Sequence, residues 1–125
     1  MPRYTAEDIR NVALVGQSGC GKTTLVESLL VQSGTISTAG SVEKGNTVSD
    51  FDPLEKEYQH SLTSSVIGID HDNIHVNVVD TPGLPDFIGQ SIAAFPAVET
   101  VAVVINAAAG VEMVSRRMLQ MAQER

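Results

Sequence analysis

The segment from Gly16 to Thr23 carries the most specific chemical pattern in this sequence. It reads Gly-Gln-Ser-Gly-Cys-Gly-Lys-Thr and fills every fixed position of the pattern G-x-x-x-x-G-K-[ST]. Glycines let such a segment curl until successive backbone N–H groups point inward and form a concave anion site. An apolar run precedes the segment and a helical pattern follows it, so the helix adds the partial positive charge of its N-terminus. The pattern predicts a phosphate-binding loop.

Each position of this loop has an expected role toward a nucleotide. Lys22 would reach the β- and γ-phosphates, and the Thr23 hydroxyl would bind Mg²⁺. Cys20 is the one cysteine of the chain, and we interpret it as a small residue that a tight loop tolerates. The residues predicted here to surround the phosphates are Gly16, Gln17, Ser18, Gly19, Cys20, Gly21, Lys22 and Thr23.

A second motif, Asp80-Thr-Pro-Gly83, stands at the end of an apolar run. Asp80 could hold Mg²⁺ directly or through water, and the Gly83 N–H could meet a γ-phosphate. Together with a phosphate loop upstream, this motif favours a GTPase over an ATPase. The ATPase alternative stays open, because the Asn-Lys-x-Asp motif that would select guanine does not occur among these 125 residues.

A long stretch from Gly34 to about Ser61 shows little periodicity and is rich in Ser, Thr, Gly and acidic residues. A loop of that length in a small domain is usually functional or disordered. A loop that covers a nucleotide can offer a hydroxyl to Mg²⁺ and become ordered with the γ-phosphate. Ser61 and Thr63 are the hydroxyls at its exit; the alternative is that both are simply polar residues at the start of a strand.

The elements that must position these motifs alternate between strand and helix patterns. The alternation indicates an α/β fold with a mainly parallel sheet. The polar turn Asp70–Asn73 indicates one antiparallel hairpin within that sheet. The predicted strands are Asn11–Val15, Leu62–Ile69, Ile74–Val79 and Thr100–Ile105. Of the three predicted helices, the first follows Lys22, the second ends at Pro96, and the third carries the apolar stripe Val111, Val114, Met118 and Met121.

Composition and charge exclude several classes of protein. Eight basic and fifteen acidic residues give a formal net charge of −7, which argues against broad nucleic-acid binding by this segment. The sequence contains no apolar stretch of the roughly 20 residues that cross a bilayer, and its first residues lack a secretory signal. With a single cysteine, these features predict a cytoplasmic protein with no membrane partner.

Three stretches together resemble a known family. RNVALVGQSGCGKTTLVESLL, TVSDFDPLEKEYQHSLTSSV and NVVDTPGLPDFIGQS are similar to the N-terminal part of the GTP-binding domain of elongation factor G. The similarity is stronger to its elongation-factor-G-like branch, in which a V-S-D-[FY]-D run is typical, and it spans about residues 10 to 120. The resemblance implies a P-loop NTPase fold of the G-domain type, with helices on both faces of the sheet.

Carried over position by position, the resemblance implies these site residues. Thr24 joins the phosphate loop as a nucleotide contact, Asp80 and Gly83 match the second switch, and Lys22 and Gly83 are the catalytic positions. Counting from Asp50, the first switch reads Tyr58-Gln59-His60-Ser61, which gives Ser61 the metal position and makes Thr63 the alternative. The implied metal ligands are Thr23, Ser61 and Asp80.

Two departures from the family pattern bear on catalysis. The family continues D-T-P-G with a histidine that helps to place the attacking water, whereas this chain has Leu84. The family's phosphate loop carries an Asp that aligns with Gly19. The expected ligands are GTP or GDP with Mg²⁺, the expected partner is the ribosome, and the expected activity is GTP hydrolysis with a low intrinsic rate. The alternative is a GTP-binding regulatory module with little or no hydrolysis.

The domain organisation expected from the sequence is simple. The last helical pattern runs to Arg125 without a stop signal. We therefore expect residues 1–125 to be the N-terminal portion of a GTP-binding domain, truncated at the C-terminus, with the base-recognition half and later domains outside this chain.

Overall fold

The computed structural model describes residues 4–49, 54, 57 and 61–124. Four strands and three α-helices alternate in this part of the chain, with short 3₁₀ turns between some of them. The elements are β1 (Ile9–Val15), α1 (Lys22–Gln32), β2 (Ser65–His71), β3 (Ile74–Asp80), α2 (Ile88–Ala94), β4 (Thr100–Val103) and α3 (Met113–Gln123).

The four strands form one sheet in the order β2-β3-β1-β4. β1 pairs in parallel with β3 and with β4, while β2 pairs antiparallel with β3. The mainly parallel sheet with one antiparallel hairpin strand, expected from the sequence, is confirmed. In the parallel register Leu14 lies opposite Asp80, so β1 and β3 end at the same edge of the sheet.

Helices cover both faces of the sheet, as the sequence also predicted. On one face α1 buries Val26 and Leu30 against Leu14, Ile67, Ile69 and Val78. On the other face α2 and α3 pack with Ala13, Val15 and Val79. The ends of both strands at the site are therefore buried on two sides, which fits their apolar residues Ala13–Val15 and Val78–Val79.

The hairpin differs in detail from its predicted form. β2 begins at Ser65, three residues after the predicted start, and continues to His71. The turn is then only Asp72 and Asn73, both with positive φ (47° and 64°). A two-residue turn of this kind matches the twist of the strands, and Asp and Asn tolerate the left-handed region. Local turn geometry thus outweighed the polarity of Asp70 and His71.

The last helix starts later than its apolar stripe suggested. Val111 lies before α3 and is half exposed, whereas Val114 and Met118 are fully buried and Met121 packs beside them. β4 also ends at Val103, two residues before the predicted end. None of the helices in the described residues is long and apolar enough to span a membrane.

Candidate functional site

The loop that joins β1 to α1 makes the centre of the site. β1 delivers the chain at Val15, which is wholly buried, and α1 begins at Lys22. Gly19 and Gly21 adopt φ of 77° and 100°, values that residues with a Cβ rarely reach. These two glycines let the chain reverse between strand and helix within six residues, so the N-terminus of α1 opens directly onto the loop.

Lys22 places a buried positive charge beneath this loop. Its side chain is only 6% exposed, and Nζ donates to the carbonyls of Gly16 (3.0 Å) and Gln17 (3.1 Å) and lies 3.7 Å from Cys20 Sγ. Both ion pairs found among the described residues involve histidines, so no carboxylate of that part of the chain neutralises Lys22. A buried ammonium that contacts two carbonyls and a thiol in the described part of the chain is a site that suits an anion.

Thr23 and Asp80 meet beside Lys22. The Thr23 hydroxyl donates to Asp80 Oδ2 at 2.7 Å, and the Asp80 side chain is 2% exposed at the end of β3. A hydroxyl has one proton and two lone pairs. Because the proton points to Asp80, the lone pairs of Thr23 remain to accept a cation. The amine of Lys22 and the carboxylate of Asp80 therefore lie at the same edge of the sheet.

The segment after Asp80 packs directly on the phosphate loop. Gly83 accepts a hydrogen bond from Ser18 N–H at 2.9 Å, and a Cβ at Gly83 would come within 2.6 Å of Lys22 Nζ. Two buried hydroxyls fix this segment from behind: Thr81 donates to the Leu14 carbonyl (2.7 Å) and Ser91 to the Pro82 carbonyl (2.8 Å). Only glycine fits at position 83 in this arrangement.

A cavity of about 290 Å³ opens between these elements. Ser61 reaches its wall, whereas Thr63 does not, so the structure brings the first of the two candidate hydroxyls to the site. The wall also includes Thr81 and Glu43, which the sequence analysis did not single out. Thr81 lies within the Asp80–Gly83 motif, but Glu43 comes from the aperiodic loop, where no pattern marks it. The lining residues are Ser18, Gly19, Gly21, Lys22, Thr23, Thr24, Glu43, Ser61, Thr81 and Gly83.

The remaining predicted residues lie behind this wall. Asp80 contacts the site by accepting the hydrogen bond from the Thr23 hydroxyl, and the Gly16 carbonyl accepts from Lys22 Nζ. Gln17 faces away from the cavity: its N–H donates to the Ser115 hydroxyl (3.2 Å), and its side-chain carbonyl accepts from Val114 N–H (3.1 Å). Gln17 thus ties the phosphate loop to the first turn of α3.

Leu84 is half-buried and is not among the residues that line the cavity. It precedes the 3₁₀ turn Pro85–Phe87, and its carbonyl accepts from Phe87 N–H at 3.0 Å. The switch residues Tyr58, Gln59 and His60 lie outside the described residues.

Known proteins with similar sequences identify the family of this chain. Residues 7–125 match the family model described as the elongation factor Tu GTP binding domain. An elongation factor G-like protein from Mycobacterium tuberculosis is 46% identical over 112 residues, which cover 90% of this chain and 16% of that protein. An elongation factor G-like protein from Synechocystis is 45% identical over 107 residues, covering 86% of this chain and 16% of that protein. The chain thus spans about a sixth of the length of these curated relatives.

A solved structure gives the same result in three dimensions. A crystal structure of a protein from Thermus thermophilus superposes with a TM-score of 0.89 at 36% identity, covering 93% of this chain and 18% of the other. The match of the family model across nearly all of the sequence confirms the resemblance seen in the motifs. This chain belongs to the family of the elongation factor Tu GTP-binding domain.

Proposed function

We propose that the cavity binds the phosphates of GTP or GDP together with Mg²⁺, and that the protein hydrolyses GTP. The observation that carries the proposal is the buried Lys22, 6% exposed, next to a Thr23 hydroxyl that donates to the buried Asp80 at 2.7 Å. An anion offsets the charge of Lys22, and a cation binds the lone pairs of the Thr23 hydroxyl. A nucleotide–metal complex supplies both the anion and the cation.

The donor atoms at the site fit Mg²⁺. The Thr23 hydroxyl, the Asp80 carboxylate and the Ser61 hydroxyl are all oxygen donors, and Mg²⁺ is held in proteins by few such groups together with substrate phosphates. Mg²⁺, when bound, neutralises charge on the phosphate oxygens. Ser61 is the proposed ligand from the loop, and Thr63 is the weaker candidate because it does not line the cavity.

Hydrolysis requires little covalent chemistry from the protein. Phosphoryl transfer is accelerated chiefly by positioning and by groups that stabilise the charge of the transition state. Lys22, the backbone N–H groups from Gly21 to Thr24 and those of Gly19 and Gly83 are the proposed stabilising groups. The N–H groups of Gln17, Ser18 and Cys20 donate to other protein atoms. With Leu84 in place of a residue that can handle a proton, we expect the intrinsic rate to be low.

The role in the cell follows from the relatives. Proteins named elongation factor G-like share about 45% identity with this chain, so we propose a translational GTPase whose nucleotide state is communicated to the ribosome. In this proposal the chain supplies the phosphate- and metal-binding portion of a GTP-binding domain in a cytoplasmic protein.

Single-turnover cleavage of γ-labelled GTP by the full chain tests the proposal, measured with and without ribosomes. We expect slow cleavage alone, faster cleavage with ribosomes, and none with a Lys22→Ala variant under either condition. Absence of cleavage by the wild-type protein in both conditions would contradict the hydrolytic function.

The second candidate is a GTP-binding regulatory module with little or no turnover. Leu84 is the observation that favours it, because it can neither donate nor accept a proton and does not line the cavity. Tight GTP binding without cleavage in the same experiment would support this candidate. A P-loop ATPase is disfavoured by the match to a GTP-binding family.

A further inference from the structure

Helix α1 carries a buried carboxylate that the nucleotide site does not use. Glu27 lies one turn beyond Thr23, on the part of the helix that faces the core, and is 1% exposed. A buried carboxylate is unstable unless hydrogen bonds compensate its lost hydration. The groups that donate hydrogen bonds to Glu27 therefore indicate its role.

Both carboxylate oxygens of Glu27 bind the backbone of the long loop. Oε2 accepts from Gly40 N–H at 2.8 Å and Oε1 from Val48 N–H at 2.5 Å. Hydrogen bonds to an ionised acceptor are about twice as strong as neutral ones. One side chain of α1 thus holds two loop positions that are eight residues apart in sequence.

Between these two positions the loop closes on itself. We call Gly40–Val48 the anchored turn. A Cβ at Gly40 would collide with the Asn46 carbonyl oxygen, so Gly40 lies directly against Asn46. Asn46 Oδ1 accepts from Ser41 N–H at 2.8 Å and completes the closure. The turn carries Glu43 to the wall of the cavity.

The anchored turn is also joined to the strand that follows Ser61. Ser49 follows it directly, and the Ser49 carbonyl accepts from the Ser65 hydroxyl at 2.9 Å. Ser65 lies opposite Asp80 in the hairpin register. Glu27 therefore holds Val48, the residue before Ser49, and the Ser65 hydroxyl joins Ser49 to the strand next to Asp80.

We infer that Glu27 is a positioning residue of the nucleotide site, which favours the triphosphate form by holding the anchored turn and Ser49 against Ser65, four residues after Ser61. The inference rests on the proposed function. Glu27 and Thr23 lie four residues apart on α1, so they stand on the same side of the helix. The position of the anchored turn and the position of Thr23 therefore both depend on helix α1.

The test compares two affinities in the full chain, for GDP and for the slowly hydrolysed analogue GTPγS, each with Mg²⁺. Glu27→Gln keeps the size of the side chain but replaces one acceptor oxygen by an amide. We expect the Kd for GTPγS to rise about tenfold and that for GDP to stay within about twofold, because only the triphosphate form needs Ser61. Glu7→Gln, an exposed carboxylate far from the loop, is the matched control and should change neither.

Trypsin gives a second readout at Lys44, which is exposed within the anchored turn. GTPγS should slow cleavage after Lys44 in the wild type and protect the Glu27→Gln variant much less. A purely structural role would weaken GDP and GTPγS together and leave the protection by nucleotide unchanged.

The outcomes separate the two proposals. If the wild-type protein binds neither nucleotide, the proposed function fails, and this inference fails with it. Equal losses for both nucleotides, or no loss, overturn the inference alone. Should Glu27→Gln fail to fold, Asn46→Ala removes the hydrogen bond that closes the anchored turn on its exposed side. We expect this variant to bind GTPγS about threefold more weakly and GDP with unchanged affinity. Equal changes in the two affinities would overturn the inference.

Discussion

Two carboxylates among the described residues are buried and accept hydrogen bonds from neutral donors. Asp80 accepts from the Thr23 hydroxyl, and Glu27 accepts from two backbone N–H groups. An apolar substitution at either position would leave these buried donors without an acceptor, which costs free energy. Their consequences differ, because Asp80 adjoins the cavity whereas Glu27 acts through the loop.

Asp80→Asn should weaken the Mg²⁺ dependence of nucleotide binding more than binding itself. The substitution removes the negative charge beside Thr23 and leaves only the weaker amide oxygen as an acceptor for its hydroxyl. We expect the Mg²⁺ concentration for half-maximal GDP binding to rise about tenfold or more. A Mg²⁺ titration with a fluorescent GDP analogue measures it, and the exposed Asp86→Asn serves as the control. An unchanged Mg²⁺ midpoint would remove Asp80 from the metal site.

Leu84→His should raise the intrinsic rate of GTP cleavage. An imidazole at this position can place or accept a proton from water, and groups of this kind contribute about 10²- to 10⁴-fold in favourable geometry. We expect at least about a tenfold gain in single-turnover rate, rising with pH as the imidazole loses its proton at about pH 6.5. Leu84→Ala should show no gain. A histidine variant as slow as the wild type would mean that Leu84 is not what limits turnover.

At the scale of elements, the site is made where the ends of β1 and β3 meet the start of α1. The segment after β3 lies so close to the phosphate loop that Gly83 leaves no room for a side chain. Thr81 and Ser91 hold it in that position from the core side. Motion of this segment is therefore coupled to the loop that contacts the phosphates.

Gly83→Ala tests that coupling. The added methyl would meet Ser18 N at 2.5 Å and Lys22 Nζ at 2.6 Å, so the segment must move away from the loop. We expect GDP affinity to fall about tenfold or more while the melting temperature changes little, because the displaced segment faces the cavity. Isothermal titration and thermal unfolding measure the two effects. Gly89→Ala, where a Cβ meets nothing within 4 Å, is the matched control.

A second element contact makes stability depend on pH. Asn11 in β1 donates from its backbone N–H (2.6 Å) and its side chain (3.0 Å) to Glu99, just before β4. These hydrogen bonds hold the pKa of Glu99 below its ordinary value. A carboxylate with a lowered pKa stabilises the fold above its unfolded pKa, and this stabilisation is lost as pH falls through the folded value.

Glu99→Gln should therefore lower the urea midpoint at pH 7 and have a smaller effect at an acid pH below the lowered pKa of Glu99, where the wild-type carboxyl is protonated as well. Urea unfolding of both proteins at the two pH values measures the difference. Glu7→Gln, which forms no such pair with β1, is expected to show no pH-dependent change. A loss for Glu99→Gln that is equal at both pH values would contradict this account.

At the scale of the whole molecule, the contacts gathered at the cavity are suited to phosphates and a metal. The wall comes from the phosphate loop, the start of α1, the anchored turn, Ser61 and the end of β3. The Asn-Lys-x-Asp motif that would recognise guanine does not occur in these 125 residues. Phosphate contacts alone do not distinguish one base from another.

We therefore predict that these 125 residues bind GDP and ADP with similar, weak affinities, within about threefold of each other. Competition titration against a fluorescent nucleotide measures the ratio. A strong preference for GDP would show that residues of this chain read the base.

The sequence by itself determined the family, the strand and helix order and the two motifs, because these depend on local patterns. An apolar run must be buried, a glycine pattern must curl, and D-T-P-G at a strand end must lie beside a phosphate loop in a parallel sheet. Element ends were less accurate, as at the Asp72–Asn73 turn, where backbone twist prevailed over polarity. Only the tertiary structure decided that Ser61 lines the cavity and Thr63 does not, and that Glu43 and Thr81 lie beside it. It also showed that Glu27 binds the backbone of Gly40 and Val48, since contacts between residues 13 and 21 positions apart leave no periodic trace in the chain.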